Sequence, residues 1–169
     1  MTEEKKDFFV SDISLSYQYT AGNATTRFLN KVAEGKLVAQ KCPKCSAVYV
    51  PPRGSCPRCG VATEEELELP DTGAVESFTI VHIPIPGNPI VPPYVSAMIR
   101  LDGADISFLH LIQEIDLADI RIGMRVQAVW KDKSDWGTTL ENIKWFKLTG
   151  EDDVDHLVFK FQESKIYKY

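Results

Sequence analysis

The amino-acid sequence predicts a mainly β protein in three parts: a short N-terminal helix, a small cysteine-clasped ribbon and a C-terminal five-stranded barrel. Three observations carry that expectation. All four cysteines of the chain fall in "KCPKCSAVYVPPRGSCPRCG". From residue 74 onward the apolar period becomes two, as in strands with one buried face. Between these stretches lies "EEELELPDTG", which reads as an acidic linker closed by Pro70 and Gly73.

At 169 residues with 44% hydrophobic content, the chain can bury a core as one compact domain with a small appendage. We expect an arm and helix over 1–36, the ribbon over 37–69, the barrel over 70–148 and a C-terminal extension over 149–169. No apolar run approaches the roughly 18 residues of a membrane span, and "MTEEKKDFFVSD" has no apolar signal-peptide core. A cytoplasmic protein without membrane contact is expected. In a reducing compartment, cysteines clustered in this way hold a metal rather than form disulfides.

Residues 1–20 are charged and then aromatic, without a period that assigns an element, and read as an arm that lies on something. "GNATTRFLNKVAEGK" reads as a helix capped by Asn23 or Thr25, with Phe28, Leu29 and Val32 on one face and Gly35 as its left-handed stop. The two Cys-Pro-x-Cys clips follow. A Cys-x-x-Cys turn sets two sulfurs side by side, and two such turns complete a tetrahedral shell. Cys42, Cys45, Cys56 and Cys59 are therefore the candidate ligands of one structural Zn²⁺. Gly60 follows the second clip where a permissive backbone angle is needed, and Ser46 holds the matching place in the first. A rubredoxin-like iron site would use the same sulfurs, and spacing does not separate the two metals. With every position filled by sulfur, neither water nor substrate can bind the ion, so the metal is read as scaffolding.

The net charge of −5 speaks against a dedicated nucleic-acid binder. Its distribution is uneven. Lys36, Lys41, Lys44, Arg53 and Arg58 fall within 36–60 without an acidic residue, whereas 61–76 carries Glu64, Glu65, Glu66, Glu68, Asp71 and Glu76 without a basic one. Cations balance the negative charge of a four-thiolate centre. Lys41, Lys44, Arg53 and Arg58 are equally candidates to meet acidic partner groups or phosphates.

Ala74–His82 is β-rich, Val95, Ala97, Ile99 and Leu101 alternate, and Ile106, Phe108, His110 and Ile112 repeat the pattern after "DGAD". Met124, Val126, Ala128 and Trp130 form a fourth strand, and "TTLENIKWFKL" a fifth with Ile143 and Trp145 on one face. Five short strands, with the helical or irregular insert "QEIDLADIRIG" between the third and fourth, suit an OB-fold barrel. "HIPIPGNPIVPPYV", residues 82–95, holds five of the ten prolines and should leave the barrel as a stiff loop, with Pro84, Pro86 and Tyr94 as candidate contacts. The tail turns acidic and then apolar, as a segment that docks on a partner or on the N-terminal arm. His82, His110 and His156 stand in no constellation with serine, carboxylate or thiol, and no phosphate-binding glycine loop occurs, so no catalytic residue is expected.

In that order, "RFLNKVAEGKLVAQKC", "CPKCSAVYVPPRGSCPRCG", the acidic stretch, "GAVESFTIVHIP", "PYVSAMIRLDGADISFLHLI" and "GMRVQAVW" resemble the zinc-ribbon OB-fold family known as domain of unknown function 35, over about residues 15–148. Members of that family are accessory subunits of thiolase-superfamily enzymes, such as the small zinc subunits of benzoylsuccinyl-CoA-type thiolases. The resemblance implies a non-catalytic chain with one structural zinc, in a hetero-oligomer with a thiolase-like large subunit that supplies the catalytic cysteine and histidine. It leaves open whether this chain helps surround coenzyme A or the acyl-CoA substrate. The expected contacts are the helix around Phe28 and Leu29, the ribbon and loop 82–95. The competing class is a single-stranded nucleic-acid module. Against it, residues 72–148 hold nine acidic and seven basic residues, which is no positive groove. The barrel aromatics Phe78, Phe108, Trp130, Trp136, Trp145 and Phe146 fall mostly on alternating positions that core packing explains.

Overall fold

Helix α1 (Gly22–Val32) has Ala21 at its N-cap, and no side chain caps it. Asn23 and Thr25, expected as caps, lie inside the first turn instead. These statements rest on a computed structural model that describes residues 10–84 and 86–159. The beginning of the expected arm (1–9), Ile85 of the proline loop and the end of the extension (160–169) lie outside the described residues. Gly35, at φ +79°, ends the helix as expected. Phe28 and Val32 are buried in the chain's own core, so Phe28 is not free to meet a partner, while Leu29 packs beside them half-buried. A helix this short persists only by packing its apolar face, and here the ribbon and barrel take it.

β1 (Leu37–Lys41) is the centre of a three-stranded antiparallel sheet between β2 (Val48–Tyr49) and β3 (Glu65–Leu69). The stretch expected as an acidic linker is therefore largely strand. Leu67 and Leu69 turn toward the core. The glutamates meet cations on the neighbouring elements: Glu66 with Arg27 at 3.2 Å, Glu68 with Lys36 at 3.1 Å and Glu65 with Lys41 at 3.7 Å. The charge asymmetry of the sequence is thus cancelled in part across the β1–β3 pair.

The remaining strands close a five-stranded barrel in the order β4 (Thr72–Val81), β5 (Tyr94–Leu101), β6 (Phe108–Ile112), β8 (Ile143–Leu148) and β7 (Arg125–Trp130), the strand order of an OB fold. Its core of residues such as Val95, Ile99, Val126 and Phe146 is continuous with Phe28, Leu37 and Val50 of the helix and ribbon. Two expectations of alternation fail. Ile106 lies outside β6 and packs against the cysteines. In β8 the inward residues are Ile143 and Phe146 rather than Ile143 and Trp145, because β8 carries one extra residue, Lys144, opposite the Val129–Trp130 step of β7. Trp145 points outward and donates its indole N–H to Glu114 at 3.0 Å. The insert before β7 holds turns and no helix, and Ile115, Leu117 and Ile120 pack on the core.

The described part of the extension lies on its own barrel rather than on the arm. Arg121 pairs with Asp153, Arg125 with Glu151 at 3.1 Å, the Val154 amide donates to the Gly123 carbonyl at 2.9 Å, and Arg100 donates to the Val158 and Phe159 carbonyls at 3.3 Å. At the other end of the Arg125 network, its two terminal nitrogens reach Asp102 at 2.6 and 2.7 Å and the Thr72 hydroxyl donates to the same carboxylate at 2.6 Å. The Arg125 hydrogen bonds, opposed by burial and helped by Thr72, hold this carboxyl below its ordinary range. A depressed folded-state pKa contributes stability above the unfolded value of about 3.9 and loses it as pH falls through the folded value. Asp102→Asn is expected to lower the melting temperature at pH 7 by about 2–4 °C, as befits a pair that water partly screens. The difference should shrink as the pH drops below about 4, which thermal melts between pH 3 and 7 will check.

Candidate metal centre

Both clips are closed by the same backbone bonds. The Cys42 amide donates to Ala47 O at 2.8 Å and Ser46 N to Cys42 O at 2.9 Å; in the second clip Cys56 N donates to Val61 O at 2.8 Å and Gly60 N to Cys56 O at 2.9 Å. Ser46 adopts φ +60° where Gly60 adopts +65°, so the turn demands the left-handed angle even from a serine. The ligand atoms of Cys42, Cys45, Cys56 and Cys59 all lie within 4.8 Å of one another, and Cys45 Sγ is 3.7 Å from Cys56 Sγ. Tetrahedral Zn–S bonds of about 2.3 Å set the sulfurs roughly 3.8 Å apart. The four clustered cysteines are consistent with one structural zinc.

The surroundings favour thiolate. The Lys44 and Cys45 amides point at Cys42 Sγ from 3.4 and 3.5 Å. The buried Tyr49 hydroxyl stands 3.2 Å from Cys56 Sγ. Burial works against ionisation of Cys56, but hydrogen bonds from Tyr49 and from the Cys59 and Arg58 amides outweigh it and lower this thiol to about 6. Cys59 moves the other way: burial first, and then the neighbouring sulfurs, raise it to about 12. Burial likewise raises Cys45. One thiolate forms readily and resists the next, a resistance that a divalent cation at the centre removes. Ala47, Tyr49, Val61 and Ile106 pack around the sulfurs. Such a site stiffens a ribbon and offers substrate no coordination position.

The other candidates are not gathered here into one surface. Lys41 is engaged by Glu65 at 3.7 Å, the Arg53 guanidinium lies 6.0 Å from the Tyr49 ring centre, and Lys44 and Arg58 are exposed on the clips. Pro84 and Pro86 are exposed, and Tyr94 opens β5 with its hydroxyl accepting from Asn88 Nδ2 at 3.2 Å. The ribbon packs where β5 ends, with Val48 N donating to Asp105 at 2.8 Å. The proline loop follows the Val81↔Tyr94 pair, at the far end of the β4–β5 hairpin from Gly73↔Leu101. Ribbon cations and proline loop are therefore separate regions. His110 lines a groove of about 460 Å³ with Ile90, Leu109, Lys131, Leu140 and Lys144. Burial lowers its pKa against the opposing hydrogen bonds at Leu111 and Leu140, and its Nδ1 accepts from the Leu111 amide at 2.9 Å. Sequence reasoning missed Tyr49 and Ile106 at the metal centre. The only available signal was that Tyr49 alternates with Ala47, on the side facing the cysteines.

A closed four-sulfur ribbon leading into a five-stranded OB barrel defines the class: a zinc-ribbon OB-fold protein. Residues 30–65 match the rubredoxin-like zinc ribbon domain of ChsH2, and residues 66–131 its C-terminal OB-fold domain. A DUF35 domain-containing scaffold protein of Methanocaldococcus jannaschii is 37% identical over 97 residues, which are 56% of this chain and 67% of that protein. The chain belongs to the ChsH2/DUF35 family. A probable enoyl-CoA hydratase alpha subunit of Thermomonospora curvata is 34% identical over 95 residues, 56% of this chain but only 29% of that subunit. Among solved structures, an Ltp2–ChsH2(DUF35) aldolase chain is 28% identical with a TM-score of 0.56, covering 77% of this chain and 98% of the other. A DUF35 protein of unknown function from Sulfolobus solfataricus shares the fold at 22% identity and a TM-score of 0.56, over 75% and 84% of the two chains.

Proposed function

We propose that this chain is a non-catalytic scaffold subunit of a thiolase-like complex that processes acyl-CoA thioesters. Its ribbon (37–69) is held by one zinc on Cys42, Cys45, Cys56 and Cys59, and its barrel (70–148), flanked by 1–36 and 149–169, supports the assembly. The observation that carries this reading is the sealed sulfur shell in a chain with no other cysteine, so no thiol remains as a nucleophile. Its relatives point the same way: one is a scaffold protein, one a probable enoyl-CoA hydratase subunit, one part of an aldolase. The nucleic-acid reading keeps little of its stacking platform. Phe108 and Phe146 are buried, Phe78 packs on the core, and Trp130 lies against Trp136 at 5.4 Å between ring centres, which leaves Trp145 as the outward-facing ring of the set. Within the scaffold reading, Lys41, Lys44, Arg53 and Arg58 meet acidic groups of the large subunit or the phosphates of coenzyme A, and Pro84, Pro86 and Tyr94 form a second contact.

The test is co-expression with each thiolase-superfamily subunit encoded in the same genome, followed by purification and acyl-CoA assays. The complex is expected to turn over and the isolated chain to be inactive. Lys44→Glu with Arg53→Glu should weaken assembly or raise KM for the CoA substrate without releasing zinc. Thiolase turnover by the isolated chain at the rate of the complex, or failure to assemble with any such subunit, would overturn the reading.

A further inference from the structure

Residues 10–20, "VSDISLSYQYT", precede helix α1. Val10, Ile13, Leu15, Tyr17 and Tyr19 are 92%, 82%, 81%, 77% and 83% exposed. From Ile13 onward the apolar residues alternate with Ser14, Ser16, Gln18 and Thr20. The Tyr17 and Tyr19 rings lie 6.2 Å apart, as side chains two residues apart do on one side of an extended chain. Among the described residues, no backbone hydrogen bond and no strand engages this segment. It has the pattern of a half-buried strand with neither a ladder partner nor a cover for its apolar face. A contiguous apolar surface of this kind marks a contact site.

We infer that residues 10–20 are a docking strand that adds to an open sheet edge of a different protein, with Ile13, Leu15, Tyr17 and Tyr19 seated in an apolar groove beside that edge. Resting on the scaffold reading, the inference makes the large subunit that protein. The choice of occupant follows from what this chain itself offers. Its barrel is closed and has no free edge, and β2 at one edge of the ribbon sheet is two residues long. At the other edge, β3 presents Glu65, Glu66 and Glu68 to a segment whose own charge is Asp12. Among the described residues, a second copy therefore offers only an acidic edge to an acidic segment. The segment carries Asp12 and no lysine or arginine, so neither an anionic membrane nor nucleic acid is matched. Four large apolar side chains and their backbone would bury on the order of 600 Å², a large part of one side of a standard protein interface.

The experiment compares the full chain with Leu15→Asp/Tyr17→Asp and with Ser14→Asp/Ser16→Asp, each co-expressed with the thiolase-superfamily subunits of the same genome. Dissociation constants, zinc content and amide exchange across 13–19 are measured. All the altered residues are exposed, so each variant should keep its zinc and its melting temperature. The apolar-face variant is expected to bind about a hundredfold more weakly and the opposite-face variant within about threefold of the unaltered chain. Every second amide of 13–19 should become protected in the complex. Equal binding by the apolar-face variant, or no protection of those amides, overturns the docking strand and leaves the scaffold reading standing. If the full chain binds no such subunit, both fall. If the chain alone dimerises in light scattering through Leu15 and Tyr17, the occupant is a second copy and the inference is wrong.

Discussion

Cys56→Ser is expected to abolish zinc retention and melt the ribbon sheet at 25 °C. β2 spans only Val48–Tyr49, and the sulfurs pack with little more than Ala47, Tyr49, Val61 and Ile106. So small a core does not hold a three-stranded sheet by itself. A structural zinc contributes apparent folding free energy of about 10–16 kcal/mol at neutral pH, most of which goes with the fourth thiolate. Losing Cys56 also deprives the buried Tyr49 hydroxyl of its partner at 3.2 Å. The damage should spread, because Leu37 and Val50 share one core with the barrel. Tyr49→Phe grades the effect: all four ligands remain, but the hydrogen bond that favours the Cys56 thiolate is gone. Zinc should still bind at pH 7, with affinity reduced about 10–100-fold. The sign in pH follows. Ligands bind metal deprotonated and Tyr49 lowers the Cys56 pKa, so its removal raises that pKa and zinc should leave at a higher pH on acidification. Metal analysis per chain and zinc release followed by a chromogenic chelator from pH 7 to 4 measure both variants. Full zinc and an unchanged melt in Cys56→Ser, or the visible absorption of an iron centre, would contradict the expectation.

What could be read from residues alone was what closes within a few positions. A Cys-x-x-Cys turn brings its sulfurs together through its own backbone, and Gly60 and Gly35 announce their positive φ by being glycines. β5 alternates cleanly because β4 and β6 pair along it on both sides. β8 misleads at Trp145 because β8 itself carries an extra residue, Lys144, opposite the Val129–Trp130 step of β7, and nothing in "IKWF" announces that bulge before the partner strand is known. "EEELELP" reads as linker when charge is weighed first, although Leu67 and Leu69 already show the period of a strand. Its glutamates are made tolerable by Arg27, Lys36 and Lys41, which arrive from α1 and β1. The metal centre was legible as four cysteines and illegible as a tuned site, since Tyr49 and Ile106 reach it only through the fold. The most distant such partnership is that of Asn142, whose side chain finds Val32 across 110 positions of sequence.

Asn142→Ala is expected to destabilise the protein by about 3 kcal/mol, and the melting temperature to fall by roughly 6–12 °C. The side chain is fully buried and fully used. Nδ2 donates to the Val32 carbonyl at 3.2 Å and to the Gly137 carbonyl at 2.7 Å, while Oδ1 accepts from the Gly137 amide at 2.9 Å. Val32 is the last residue of α1, so one amide satisfies a helix-end carbonyl and the loop before β8 together. Alanine would take these partners from the Gly137 amide and carbonyl beside a cavity, and would leave the Val32 carbonyl with the Gly35 amide alone, at 3.0 Å. The same junction is closed from the other side by Trp136, whose ring lies where a Cβ on Gly35 would come within 2.6 Å. Trp136 also packs against Trp130 at 5.4 Å between ring centres, which makes indole emission a local reporter. Denaturant unfolding should therefore give a lower midpoint together with red-shifted native fluorescence, while zinc stays bound because no ligand has changed. Gly35→Ala should damage the clasp independently, through its left-handed φ and the collision with Trp136. Because both changes open one junction, the double variant should lose measurably less than the sum of the single losses. Strict additivity, or an Asn142→Ala melt within about 1 °C of the unaltered protein, would mean that the helix is held by its apolar face alone.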